Sequence, residues 1–207
     1  KNVDLSKNPF KVAGDSGKIY TADSLIISTG AQARWLNLKS EEEYKGFGVS
    51  ACATCDGFFF KDKEVFVIGG GDSAMEEATF LTKFASSVTI VHRRNKFRAS
   101  KIMQDKALSN EKIKVIWNAE VLDLIGSPNK NGLEKVILKD TVSKNETAYE
   151  IDGLFLGIGH IPNSDLFSEL LELDEKGYII TASDSTLTSI PGVFASGDIQ
   201  DKVYRQA

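Results

Sequence analysis

The chain has 207 residues, enough to bury the core of one or two domains. Its 25 lysines and arginines stand against 29 aspartates and glutamates, and the net charge of −4 argues against a general nucleic-acid binder. Hydrophobic residues make up 42% and charged residues 26%, a soluble globular composition, and no apolar run approaches the roughly 20 residues of a membrane-spanning helix.

Lys1-Asn2-Val3-Asp4 opens the chain with neither a helix cap nor a strand pattern. Phe10–Ala13 and Lys18–Ala22 alternate around Gly14-Asp15-Ser16-Gly17, which predicts a hairpin. Leu25-Ile26-Ile27-Ser28 is a continuous apolar run closed by Thr29-Gly30, the pattern of a buried strand with a tight turn after it. Ala31 to Tyr44 loses that pattern and carries the charges of Lys39 to Glu43, so it reads as a linker. Val65 to Ile68 is a buried strand, and Ser73 to Phe84 has helical spacing with Ala74, Ala78, Leu81 and Ala85 on one side. Val88 to Val91 is the next strand, and strand, glycine turn, helix, strand makes a βαβ unit. Val115–Trp117, Val121–Ile125 and Val136–Leu138 read as further strands, punctuated by Pro128-Asn129-Lys130-Asn131-Gly132. Leu154–Leu156 runs into Gly157-Ile158-Gly159-His160, and Pro162-Asn163 stops regular structure as a second linker. Tyr178–Ile180 and Val193–Asp198 are the last patterned segments, with no internal repeat anywhere. The chain begins at Lys1 and stops at Arg205-Gln206-Ala207 as an element starts, so both ends are expected to be cut.

Gly69-Gly70-Gly71-Asp72-Ser73-Ala74 fits the dinucleotide pattern G-x-G-x-x-A, placed between a strand and a helix as that motif requires. Gly69 allows the tight turn, Gly71 lets backbone approach a pyrophosphate, and Ala74 is small enough for helix and strand to pack closely. Asp72 and Ser73 head the helix, whose N–H groups and positive dipole end suit phosphate. At the end of the next strand an NAD enzyme carries an acid for the ribose 2′-hydroxyl. Here the chain reads Val91-His92-Arg93-Arg94-Asn95-Lys96-Phe97-Arg98. His92, Arg93, Arg94 and Arg98 lie where a 2′-phosphate would sit, and arginine forks match phosphate oxygens, so the expected cofactor is NADPH. The plainer readings, a ligand-free glycine turn and a solvated basic turn, are disfavoured by the strand and helix on either side.

Cys52 and Cys55 are the only cysteines, in Ala51-Cys52-Ala53-Thr54-Cys55-Asp56-Gly57. A zinc site needs four ligands, and beyond these two the chain offers only His92 and His160, so no metal is expected. Two buried structural thiols are a second reading. The C-x-x-C spacing also brings two sulfurs within disulfide reach, as in a redox dithiol. Asp56 is either a proton shuttle for thiolate chemistry or a turn residue before Gly57. Two close cysteines and no visible signal peptide point to a reducing compartment, the cytoplasm.

Taken together, the Cys52–Gly57 segment, the Gly69–Ala74 loop and His92-Arg93-Arg94 with Arg98 resemble the bacterial-type, low-molecular-weight thioredoxin reductases. Ser28-Thr29-Gly30 is similar to that family's turn before the NADPH domain. Gly157-Ile158-Gly159-His160 with Pro162-Asn163 resembles the end of that domain. Ser189-Ile190-Pro191-Gly192-Val193-Phe194-Ala195-Ser196-Gly197-Asp198 resembles its second flavin motif, and Tyr204-Arg205-Gln206-Ala207 the segment that closes on the flavin ring.

The resemblance implies an α/β flavoprotein with two Rossmann-like domains: an FAD-domain segment over residues 1–36, an NADPH-binding domain with the dithiol over 37–161, and a C-terminal FAD-domain segment over 162–207. Hinges would fall near Trp35–Asn37 and Ile161–Asn163. It further implies a homodimeric enzyme that passes electrons from NADPH through FAD and the Cys52–Cys55 dithiol to thioredoxin, with no nucleic-acid or membrane partner. Cysteines 52 and 55 and Asp56 would be catalytic. Thr29, Gly30, Gly157, Gly159, Gly197 and Asp198 would line cofactor sites, with Asp198 on the ribitol side of FAD and Arg205, Gln206 and Ala207 at its ring. The family's N-terminal G-x-G-x-x-G strand and helix for the FAD pyrophosphate lie outside this sequence. The chain as given is therefore expected to bind NADPH without holding FAD firmly or turning over thioredoxin. A related flavoprotein that reduces a peroxidase partner and a flavin-free NADPH module are the alternatives.

Overall fold

The computed structural model describes residues 2–127 and 132–202. The chain forms two compact units, one joining Lys1–Gln32 to His160–Ala207 and the other spanning Ala33–Gly159. In order, the elements are β1 (Asn2–Asp4), β2 (Phe10–Ala13), β3 (Ile19–Ala22), β4 (Leu25–Ile27), β5 (Ala31–Ala33), α1 (Lys39–Tyr44), β6 (Val49–Ser50) and α2 (Ala53–Asp56). There follow β7 (Glu64–Gly69), α3 (Asp72–Leu81), β8 (Ser87–His92), α4 (Lys101–Leu108), β9 (Ile113–Trp117), β10 (Ala119–Ser127), β11 (Gly132–Asp140) and β12 (Glu146–Glu150). The last strands are β13 (Gly153–Gly157), β14 (His160–Pro162) and β15 (Val193–Ala195).

The central unit is built on a parallel sheet of order β6-β13-β7-β8-β9. A parallel sheet is covered on both faces, so its inner strands are apolar at every position rather than at alternate ones. Val65 to Ile68 of β7 and Leu154 to Leu156 of β13 are all buried. Alternate residues serve opposite faces. Val65, Val67, Val88, Ile90 and Phe155 pack under α3, which contributes Ala74, Met75, Ala78 and Leu81. Phe66, Ile68, Val91, Leu154 and Leu156 meet Leu124, Leu133, Val136 and Leu138 of the antiparallel sheet β10-β11-β12. Burying each of the Val, Leu, Ile, Phe and Met side chains among them stabilises the unit by about 1.5–3 kcal/mol.

The other unit carries a meander, β1-β2-β3, with Val3 opposite Val12 and Phe10 opposite Ala22. The hairpin therefore has a third strand where no pattern marked one, because three residues with a single inward Val3 are too short to alternate visibly. β4 pairs in parallel with β15, Ile27 against Ala195. Phe10, Ile27, Phe167, Leu171, Ile179, Val193 and Ile199 form its core.

Several expectations are corrected. Ile26 is 67% exposed, so the apolar run of β4 is not buried throughout. The linker expected over Ala31–Tyr44 contains β5 and α1. Glu41 in its charge run is fully buried, accepting the backbone N–H groups of Leu36 (2.8 Å) and Asn37 (2.9 Å). Pro162 closes β14 rather than a loop. Ile179 of the patterned Tyr178–Ile180 segment bridges to Leu173.

Candidate functional site

Ser50 ends β6, whose two residues pair with Leu154 and Phe155 of β13. The chain then leaves the sheet and turns into α2, with Cys52 at its N-cap. Cys52 and Cys55 are joined by a disulfide. The Cys55 N–H donates to Cys52 Sγ (3.2 Å), and Thr54 Oγ1 lies 3.3 Å from the same sulfur. Ser50 is buried, and its Oγ accepts the Cys52 N–H (3.0 Å) while donating to Asp56 Oδ2 (2.6 Å). Asp56 is thus tied back to the dithiol by a side chain anchored in the sheet, and its own N–H donates to the Cys52 carbonyl (3.1 Å).

Gly57 begins a 3-10 turn through Phe60. A Cβ there would lie 3.2 Å from Leu81 and 3.4 Å from Phe84, so the glycine serves close packing on α3. With three residues per turn, three successive phenylalanines cannot all face inward. Phe60 does, against Phe155, whereas Phe58 and Phe59, three and four residues after Cys55, stand 67% and 70% exposed. An apolar triplet reads as core in a sequence, and only the turn's period reveals the exposed pair.

The glycine loop is shaped by contact. Gly69 has φ 151°, and a Cβ on it would meet the Gly157 carbonyl oxygen at 2.4 Å and Ala74 Cβ at 2.8 Å. A Cβ on Gly157 would lie 2.7 Å from Ala74 Cα. These three positions lock β7, β13 and the first turn of α3 together, leaving room for nothing larger. Gly71 faces open space with no atom within 4 Å of its Cβ position, which fits a ligand approaching the helix N-terminus. Gly159, with φ 96°, is open in the same way, and its carbonyl accepts the Arg34 N–H (2.9 Å). Ser73 is half-buried in the first turn of α3.

Gly70 has a separate constraint. A Cβ there would come within 2.3 Å of the His92 ring. That imidazole is buried among Phe97 and Trp117, and its Nε2 has no hydrogen-bond partner among the described residues. Burial pushes its pKa down; a backbone hydrogen bond with Lys96 pulls the other way, while the charges of Arg98, Arg94 and Arg93 add to the depression. His92 is therefore a neutral packing group at physiological pH. Arg93, Arg94 and Arg98 are exposed around it. The Gly70 carbonyl accepts the N–H groups of Arg98 (2.7 Å) and Ala99 (3.1 Å). Asp72 Oδ1 accepts the Ser100 N–H (2.7 Å) and hydroxyl (3.0 Å). The Asp72 carboxylate thus staples the arginine segment to the glycine loop.

In the other unit, both expected flavin turns leave the carboxyl ends of the parallel pair β4 and β15, the side on which α/β sheets bind ligands. Ser28 and Ser196 face each other there, Oγ to Oγ 2.8 Å. Gly30 (φ 69°) and Gly197 (φ 73°) are open, with no atom within 4 Å of their Cβ positions. Thr29 Oγ1 donates to the Asn163 carbonyl (2.9 Å), and Asn163 Nδ2 donates to the Thr29 carbonyl (2.8 Å). Asp198 lies half-buried in a short 3-10 turn, Gly197–Ile199. Arg205, Gln206 and Ala207 lie outside the described residues. Among the described residues, no three His, Cys, Asp or Glu side chains gather into a metal site, and no helix is long and apolar enough to cross a membrane.

The family model described as pyridine nucleotide-disulphide oxidoreductase matches residues 1–207. The chain is 53% identical over 207 residues to a thioredoxin reductase of Rickettsia felis, covering 100% of this chain and 67% of that protein. It is 49% identical over 206 residues to one of Streptomyces clavuligerus, covering 63% of it. Among solved structures, thioredoxin reductase from Giardia duodenalis superposes with a TM-score of 0.85 at 41% identity, with 99% of this chain and 67% of that one covered. The Lactococcus lactis enzyme gives 0.81 at 41% identity, with 99% and 66% covered. The chain therefore spans about two thirds of the length of these relatives.

Proposed function

The chain belongs to the pyridine nucleotide-disulphide oxidoreductases, and within them to the thioredoxin reductases; we propose that the whole protein uses NADPH to reduce thioredoxin through FAD and the Cys52–Cys55 pair. The observation that carries this is the disulfide on a two-point anchor, one at Ser50 and one at Asp56, in the same unit as the glycine loop. When bound, NADPH supplies a hydride and FAD splits the transfer into electrons that a disulfide accepts.

In this reading the open backbone at Gly71 and the N-terminus of α3 would hold the pyrophosphate, and Gly69, Gly157 and Ala74 keep strand and helix close enough for that approach. Arg93, Arg94 and Arg98 select the 2′-phosphate, and Asp72 keeps their segment in place through Ser100. Thr29, Gly30, Gly197 and Asp198 would hold FAD at the ends of β4 and β15, and the roles of Arg205, Gln206 and Ala207 would be at its ring. Residues 37–161 form the NADPH-binding domain, and 1–36 with 162–207 belong to the FAD domain of a cytoplasmic homodimer.

Once reduced, one cysteine attacks thioredoxin's disulfide as a thiolate, and the second displaces the mixed disulfide, re-forming Cys52–Cys55 and releasing reduced thioredoxin. Asp56 takes up the proton that a thiol sheds and returns it to a departing thiolate. Phe58 and Phe59, exposed three and four residues after Cys55, offer an apolar landing, the kind of exposed aromatic pair that anchors a partner. The test is rapid-mixing kinetics on the full-length protein. Asp56→Asn should slow reduction of thioredoxin while leaving reduction of FAD by NADPH near the wild-type rate; equal slowing of both steps would contradict the assignment.

A further inference from the structure

We infer that Ser50 is a positioning residue for the disulfide exchange, acting through Asp56; this rests on the acid–base reading of Asp56 given above. Three observations carry it. Ser50 is only 6% exposed, and its backbone is fixed by pairing with Phe155, so its hydroxyl cannot wander. The hydroxyl's single proton goes to Asp56 Oδ2 at 2.6 Å, with the Cys52 carbonyl a distant 3.4 Å away. Its lone pair takes the Cys52 N–H at 3.0 Å. One oxygen atom therefore sets both the carboxylate and the backbone of the cysteine that caps α2. Without the hydroxyl, Asp56 is free to rotate toward solvent, and the Cys52 N–H loses its acceptor.

The step served is thiol–disulfide exchange. An attacking thiolate forms a bond to one protein sulfur, and the Cys52–Cys55 bond breaks with its electron pair on the other sulfur. That thiolate takes the proton from the Asp56 carboxyl. The reagent's second thiol, as its thiolate, then attacks the reagent sulfur of the mixed disulfide; that bond breaks with its electron pair on the protein sulfur, which takes up the proton the second thiol shed, leaving the protein dithiol and an oxidised cyclic reagent. Two electrons pass from reagent to protein.

The test uses dithiothreitol on the oxidised full-length protein, with iodoacetamide quenching and the mass of the peptide bearing both cysteines as readout. Rates of opening are compared for wild type, Ser50→Ala, Asp56→Asn and the double variant. Asp56→Asn is expected to slow opening by about tenfold or more, and Ser50→Ala by about three- to tenfold. The double variant should be no slower than Asp56→Asn alone, since residues acting as one unit are not additive. Calorimetric NADPH affinity should be unchanged in all of them, which reports that the unit is folded. Ser50→Gly, which also removes the hydroxyl, takes the place of the alanine variant should that one not fold. Multiplying effects in the double variant, or a wild-type rate in Ser50→Ala, would overturn the inference while leaving Asp56 in its role. A wild-type rate in Asp56→Asn would overturn the acid–base reading itself, and this inference with it.

Discussion

Glu77 makes the sharpest stability prediction. It lies on α3 between Ala74, Ala78 and Leu81, the residues that face the sheet, and its Oε2 is buried with no hydrogen-bond partner among the described residues. Burial, reinforced by the neighbouring Glu76 charge, raises its pKa from 4.5 to about 7. The native state therefore holds this proton more tightly than the unfolded chain does. Stability from the neutral carboxyl is fully present below 4.5 and is lost as pH rises through about 7. A difference of that size corresponds to about 3 kcal/mol between about pH 4 and about pH 8. Glu77→Gln keeps the shape of the neutral acid and carries no charge at any pH. Both tryptophans, Trp35 and Trp117, fall in the Ala33–Gly159 unit, so urea unfolding followed by their fluorescence reads the unit that contains Glu77. The two proteins should have equal stability near pH 4, and the variant should gain up to about 3 kcal/mol near pH 8. A difference that stays flat across this range would refute the reasoning, because all other titrating groups cancel in it.

Gly70→Ala should weaken NADPH binding by about tenfold or more without unfolding the unit, because its methyl group would force the buried His92 ring away from the glycine loop; calorimetric titration with tryptophan fluorescence as the folding control checks this. Arg93→Ala and Arg94→Ala should each cost NADPH about 1.5–3 kcal/mol while scarcely changing NADH affinity. The same titration with both nucleotides decides it, and equal wild-type affinities would contradict the 2′-phosphate assignment. Phe58→Ala with Phe59→Ala should raise the KM for thioredoxin several-fold and leave NADPH affinity as it was, as expected when exposed aromatic anchors are removed.

β7, α3 and β8 were legible because a continuous apolar run and a 3.6-residue spacing are strong signals, and every position named for α3 is fully buried. The glycine loop was legible for a related reason: close approach of two backbones leaves little choice of residue, as Gly69, Gly157 and Ala74 illustrate. What stayed hidden depends on contacts that no residue spacing marks. Glu41 sits in a run of charges that reads as a solvated face, yet the N–H groups of Leu36 and Asn37 draw it inside. α4 buries only Ala107 fully, and β12 leaves four of its five residues exposed, so neither displays a period. Val121–Ile125 and Val136–Leu138 were recognisable as strands, but their separation into an antiparallel sheet is a matter of pairing. In the site, the cysteines and arginines could be named from their spacing. Ser50 could not, because a serine before a C-x-x-C carries no mark until the Asp56 carboxylate is found 2.6 Å away.

The most direct measurement is loss of NADPH absorbance on adding oxidised thioredoxin to the full-length protein, wild type against Cys55→Ser. The account predicts many turnovers for the wild type and none for the variant, with the variant still able to pass electrons from NADPH to FAD. Turnover in Cys55→Ser, or none in a wild type whose FAD is readily reduced by NADPH, would contradict a route through the Cys52–Cys55 pair.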